Sequence, residues 1–113
     1  GFPPMDLFRI DKNDFDTLDT EGFPLGYDPG SEFGTGRTEL KTGDIGVVYS
    51  KSFINSKNSN GENFGLLRLR SIIRELKSRN PSEIAKNLNY AYEKFMGISQ
   101  PDSDITVLIM KIV

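Results

Sequence analysis

The sequence predicts an α+β domain. Two observations carry this. Short β-branched runs separated by turns fill the first half, and two helix-period segments follow before a last apolar run, Ile105 to Val113. Strands, then two helices, then one strand is an order that segregates helices from an antiparallel sheet.

Met5 to Ile10 reads as a first strand, Asp11 to Asp14 as a polar turn and Phe15 to Leu18 as the return strand of a hairpin. Glu21 to Ser31 is rich in Gly and Pro, which punctuate structure and exclude a helix. Glu32 to Leu40 reads as a strand interrupted by Gly34 and Gly36. Lys41 to Asp44 forms a turn into Ile45 to Tyr49, a buried strand. Ser50-Lys51-Ser52 continues as polar loop, and Asn55 to Asn63 is a second one.

Leu66, Leu69, Ile72, Ile73 and Leu76 then recur at three- and four-residue spacing and make one apolar helix stripe. In the second helix Asn80 is the N-cap, Pro81 suits the first helical position and Glu83 completes a capping-box-like spacing. Its stripe is Ile84, Leu88, Ala91, Tyr92 and Phe95, and Gly97 stops it. The closing run from Ile105 is apolar at nearly every position, which predicts a central strand covered on both faces.

Composition narrows the chemistry. At 113 residues the chain is one domain at most, with room for a modest core. A net charge of −2 argues against a nucleic-acid module. No apolar stretch approaches the roughly 18 to 20 residues needed to span a bilayer. The chain has no Cys and no His, which removes disulfides, thiol catalysis, imidazole bases and His-ligated zinc. Cysteine absence fits a reducing cytosol and a cytoplasmic protein. Any metal would be held by oxygen, which favours Mg²⁺, Mn²⁺ or Ca²⁺.

Several short motifs stand in a distinctive order. They are Gly1-Phe2-Pro3-Pro4, Pro24-Leu25-Gly26, Lys41-Thr42-Gly43-Asp44 before the buried strand, Gly61-Glu62-Asn63-Phe64-Gly65, and Ser103-Asp104-Ile105-Thr106. Together they resemble the metal-dependent protein phosphatases of the PPM type, in the bacterial branch typified by stage II sporulation protein E. The resemblance implies the second half of an α-β-β-α sandwich, with antiparallel sheets and an outer helix pair. Residues 1–113 would then be the C-terminal part of one phosphatase domain, cut from a larger protein.

The family's chemistry is dephosphorylation of serine or threonine by two Mn²⁺ or Mg²⁺ ions held by carboxylates. The resemblance implies a bacterial signalling role in partner switching, with a small phosphorylated regulatory protein of the anti-sigma antagonist type as partner. Lys51 and Ser103 stand where the family has its metal-binding Asp residues. An ammonium repels the ion that a carboxylate would hold. The expectation is therefore a degenerate copy with a binding or regulatory role. The alternative is an active Mn- or Mg-dependent phosphatase, with ligands supplied mainly by the part of the domain preceding Gly1 and by Asp104 or Asp102. These two are the candidate metal residues, and both also suit turns that enter a strand. No catalytic residue is assigned. A third reading is a structural fragment whose apolar face is covered by a second copy, as a homodimer, or by the absent half.

Other residues have a plain reading beside a functional one. Asp44 suits a side-chain-to-backbone turn partner better than a ligand. Arg68, Arg70, Arg74, Lys77 and Arg79 flank the apolar stripe as a solvated basic face, or form a patch for an acidic partner. Phe23 and Tyr27 read as loop packing, or as part of a docking surface.

Overall fold

Residues 3–18 and 39–113 are described in the structure, a computed structural model. Its first element is a hairpin. Strands β1 (Met5–Arg9) and β2 (Asp14–Leu18) pair antiparallel with Phe8 opposite Phe15. The turn between them places Asn13 at φ 52°, a left-handed conformation that Asn tolerates better than most residues.

Strand β3 (Ile45–Tyr49) lies between β1 and β4 (Val107–Lys111), so the sheet order is β2-β1-β3-β4, antiparallel throughout. Register sorts the side chains. Phe8, Phe15, Ile45, Val47, Tyr49, Val107 and Ile109 point to one face, with Asp6 and Thr17 among them. Leu7, Gly46, Val48, Leu108 and Met110 point to the other.

Two helices cover the first face, α2 (Leu66–Glu75) and α3 (Pro81–Met96). The core joins Phe8, Ile45, Val47 and Tyr49 of the sheet to Leu69, Ile73, Ile84, Leu88, Tyr92 and Met96 of the helices. Phe53 and Phe64 complete it. Phe53 stacks on Tyr92 at 5.0 Å between ring centroids, and Phe64 meets Phe95 edge-on at 5.4 Å. The capping prediction holds: the Asn80 side chain accepts from the Glu83 backbone N–H at 2.9 Å, and Gly97 follows α3 at φ 59°.

The α+β class and the antiparallel sheet with its helix pair are as the sequence predicts. Three details differ. The final strand lies, among the described residues, at the edge of the sheet rather than in its centre. Among the described residues β4 pairs with β3 alone, and its burial alternates, leaving Leu108 53% and Met110 41% exposed. An apolar run reports capacity for cover, whereas the register to β3 decides which side chains the helices reach. Second, Lys51 to Ile54 is not loop but a one-turn helix, α1, because burying Phe53 under the helix pair curls the chain back at Ser50. Third, the polar loop after it is tied into a small two-stranded bridge, Lys57 opposite Asn63. The predicted Gly/Pro loop, most of the 32–40 strand, and the contacts of Phe2, Phe23, Pro24, Leu25, Gly26 and Tyr27 lie outside the described residues. Glu39 and Leu40 are not in a strand.

Candidate functional site

The site begins at the turn that launches β3. Gly43 stands at φ 98°, and a Cβ there would meet the Ile10 side chain at 3.3 Å, so a glycine is required. Asp44 is fully buried. One carboxylate oxygen accepts from the Ile10 N–H at 2.9 Å, and the other from the Lys41 N–H at 2.9 Å and the Arg9 guanidinium at 3.4 Å. Asp44 is thus a backbone organiser, as its place in a turn predicts. It also fixes where β3 starts and hence where it ends.

At that far end the chain emerges at Ser50. The Ser50 N–H donates to the Thr106 carbonyl at 2.9 Å, and the Thr106 N–H donates to Ser50 Oγ at 3.0 Å. Ser52 Oγ donates to the Asp104 carbonyl at 2.7 Å. The start of α1 is therefore laced to the segment entering β4. Lys51 sits between the two serines, exposed, with no side-chain ion pair or hydrogen bond among the described residues. Ser52 and Asp104 thus meet at one end of the sheet, 52 residues apart in sequence.

A cleft of about 360 Å³ opens beside them, lined by Ser52, Asn55, Ser56, Lys57, Gln100, Asp102 and Ser103. Asp102 and Ser103 face this cleft. Asp104 uses its backbone carbonyl to hold α1. The cleft floor is built by Ser56, whose hydroxyl bridges the Ser52 carbonyl at 2.6 Å and the buried Tyr92 hydroxyl at 2.7 Å. A divalent ion of the Mg²⁺ or Mn²⁺ type needs several hard oxygen donors around one point. Among the described residues no group of three or more Asp, Glu, His or Cys is placed to hold one. Asp102 and Asp104, accompanied by an ammonium at Lys51, do not by themselves fit such an ion.

The basic cluster on and just after α2 is the expected solvated face only in part: Arg68 and Arg79 are exposed, whereas Arg70, Arg74 and Lys77 are half-buried. Arg70 grips Asp6 in a two-point pair, Nε to Oδ2 at 2.7 Å and Nη2 to Oδ1 at 2.8 Å, and reaches Thr17 Oγ1 at 3.1 Å. Arg74 donates to the Asn13 carbonyl at 3.2 Å and reaches Asp14 at 3.4 Å. Lys77 donates to Asn13 Oδ1 at 2.9 Å. Both arginines also lie over the Phe15 ring. These three side chains clamp α2 onto the β1–β2 hairpin. Arg68 covers the Phe95 ring at 4.3 Å, and Arg79 pairs with Glu83. The sequence reading missed this clamp because its partners lie more than fifty residues away. The available signal was Asp6, a carboxylate between the apolar residues Met5 and Leu7 of the first strand.

The clamp has an electrostatic imprint. Its hydrogen bonds to Asp6 raise the Arg70 pKa against a partial loss of solvation. Burial pushes the Tyr49 phenol up, and the Asp6 charge adds to that.

Taken together, fold and site define an α+β domain in which two loops converge at one sheet end, between the exit of β3 and the entry of β4. The chain belongs to the stage II sporulation protein E (SpoIIE) family, a family of phosphatase-related domains in sporulation signalling, whose model matches residues 1–113. No curated protein and no solved structure matches it. Among the described residues no helix is long and apolar enough to cross a membrane.

Proposed function

We propose that this domain is a degenerate member of its family, a binding or regulatory module in bacterial partner switching rather than a metal-dependent phosphatase. One observation carries the reading: the segment laced to residues 104–106 through Ser50 and Ser52 presents Lys51, exposed and without a side-chain partner among the described residues, where the family has a metal-binding Asp. Positive charge fixed in the protein opposes a divalent cation at that point. The partner would be a small phosphorylated regulatory protein of the anti-sigma antagonist type, met in the cytoplasm and without nucleic acid. The scaffold supports this role, because the buried Asp44 turn and the Ser50 and Ser52 lacing tie the two loops together through the protein's own hydrogen bonds.

Calorimetric titration of the full-length protein with manganese tests the reading, alongside phosphate release from a phosphoserine peptide. The expected result is no stoichiometric binding at micromolar metal and no metal-dependent release. Two-ion binding with turnover would overturn it.

A second reading rests on Asp102, which faces the cleft beside Ser103. In that case an active phosphatase uses Asp102 or Asp104 with carboxylates from elsewhere in the protein. Asp102→Asn combined with Asp104→Asn would then abolish manganese-dependent phosphate release, and an unchanged rate would count against it.

A further inference from the structure

The segment between α1 and α2 folds into a small hairpin whose tip holds the pair Asn60-Gly61. One side chain builds that tip. Asn58 Oδ1 accepts from the N–H groups of Asn60 and Glu62, each at 3.0 Å. The Asn58 N–H donates to the Glu62 carbonyl at 3.0 Å, and the Gly61 N–H donates to the Asn58 carbonyl at 3.0 Å. Gly61 stands at φ 79°, so residues 59–61 make a three-residue loop closed by a left-handed glycine. The base of the hairpin is tied to the core. The Phe64 N–H donates to the Ser56 carbonyl at 2.8 Å, the Gly65 N–H donates to the Ile54 carbonyl at 2.9 Å, and Phe64 itself is buried.

Asparagine followed by glycine is chemically reactive. The nucleophile is the backbone nitrogen of the second residue, and its target is the side-chain amide carbon of the first. Gly61 has no Cβ to crowd that approach, and even a Cβ built there would meet nothing within 4 Å. Asn60 is exposed, and its side-chain amide makes no hydrogen bond among the described residues. The hairpin opposes the reaction. Attack needs the Gly61 nitrogen without its proton, and in the closed tip that proton is held on the Asn58 carbonyl. Reaction therefore passes through an opened tip. The opening is local, because the hydrogen bonds of Phe64 and Gly65 close the base independently of Asn58.

We propose that Asn60 is a site of spontaneous deamidation, gated by opening of the 58–62 hairpin tip. The Gly61 nitrogen attacks Asn60 Cγ. An N–C bond forms, the Cγ–Nδ2 bond breaks, and Nδ2 leaves as ammonia with the proton given up by Gly61. Water then opens the five-membered imide. Opening at Cγ leaves aspartate at position 60. Opening at the main-chain carbonyl leaves isoaspartate, with the chain now running through Cβ and Cγ. Either product adds one negative charge beside Glu62. Isoaspartate also inserts a carbon into the main chain between the two N–H groups that Asn58 holds, so the tip cannot close again in register. The proposal stands apart from the question of metal binding.

The test is peptide mapping by mass spectrometry on the full-length protein, aged in mildly alkaline buffer. Enzymatic methylation of isoaspartate is the second readout, and a synthetic peptide of residues 55–65 is the ungated reference. Position 60 should gain one mass unit and an isoaspartate signal. It should do so about tenfold or more slowly than the peptide, the factor expected when two weak hydrogen bonds open first. Asn58→Ala removes the acceptor of two N–H groups and should speed the reaction about five- to tenfold. Asn58→Asp keeps that acceptor and should stay within about threefold of the parent. Asn80→Ala weakens the fold at the start of α3 and should leave the rate unchanged, because the gate is local. Conversion at the rate of the peptide would overturn the proposal, as would conversion no faster than that of the helical Asn87 and Asn89. Indifference to Asn58→Ala would do the same. Equal acceleration by Asn80→Ala would place the gate at global unfolding and refute the hairpin as its seat.

Discussion

Arg70→Ala should detach α2 from the hairpin, and its cost can be worked from the structure. The Asp6 side chain is 2% exposed and lies on the helix-covered face of the sheet. Removing the guanidinium strands that carboxylate. Breaking a fully buried pair in this way costs about 3–5 kcal/mol. Arg70 is itself 25% exposed, so water can reach part of the vacated space and screen the residual charge. Loss of the Thr17 contact and of the cover over Phe15 works in the opposite direction. The net expectation is roughly 2–3 kcal/mol, between the exposed-pair and buried-pair limits. That corresponds to a fall in Tm of about 8–12 °C for a domain of this size. Urea unfolding followed by far-UV circular dichroism reads it directly. Arg74→Ala is the internal control, because its pair with Asp14 is exposed on both sides and should cost under about 1 kcal/mol. A double-mutant cycle with Asp6→Ala should return a coupling of about 1–3 kcal/mol. A loss for Arg70→Ala under about 1 kcal/mol, the range of an exposed pair, would refute the buried Arg70–Asp6 pair as the main link between α2 and the hairpin.

Three further expectations follow from the same geometry. Because burial raises the Tyr49 pKa above its ordinary value of 10.0, the folded state holds the neutral phenol more tightly than the unfolded chain does. That contribution is complete below pH 10 and is lost as pH rises through the raised value, so Tyr49→Phe should flatten the alkaline fall in urea stability; an unchanged profile would contradict it. Asn80→Ala removes the side-chain acceptor from the Glu83 N–H and should cost about 1 kcal/mol in the same unfolding assay, whereas Asn80→Gly should cost only a few tenths. Ser56→Ala strands the Tyr92 hydroxyl inside the core and should cost about 1–3 kcal/mol, with Ser56→Ala/Tyr92→Phe recovering part of it; no recovery would show that the pair is not coupled.

The helices were legible in the sequence because their signals are local. Asn80, Pro81 and Glu83 announce one start, Gly97 announces the stop, and the apolar stripes need only three- and four-residue spacing. Strand β3 and the Asp44 turn were legible for the same reason. The strand after the helices was visible, but its place in the sheet was not. Its apolar character is shared by Val107 and Ile109, which meet the helices, and by Leu108 and Met110, which do not. Only the pairing with β3 separates them. At the site, the approach of the β3 exit to the entry of β4 followed from resemblance, while the lacing that achieves it did not. Ser50 and Ser52 are ordinary loop residues until Thr106 and Asp104 come within reach. The α2 clamp was hidden for a related reason: Arg68, Arg70, Arg74, Lys77 and Arg79 look alike in sequence, and a partner at Asp6 or Asn13 distinguishes them only in three dimensions.

The central claim is that this member of the family has kept the loop geometry without the ion. Manganese titration of the full-length protein, as isolated and with Lys51→Asp and Ser103→Asp combined, tests it most directly. The account predicts no stoichiometric binding in the parent at micromolar manganese, and measurable binding once the two carboxylates are introduced. Two ions bound by the unaltered protein, with phosphate released from a phosphoserine peptide, would contradict it.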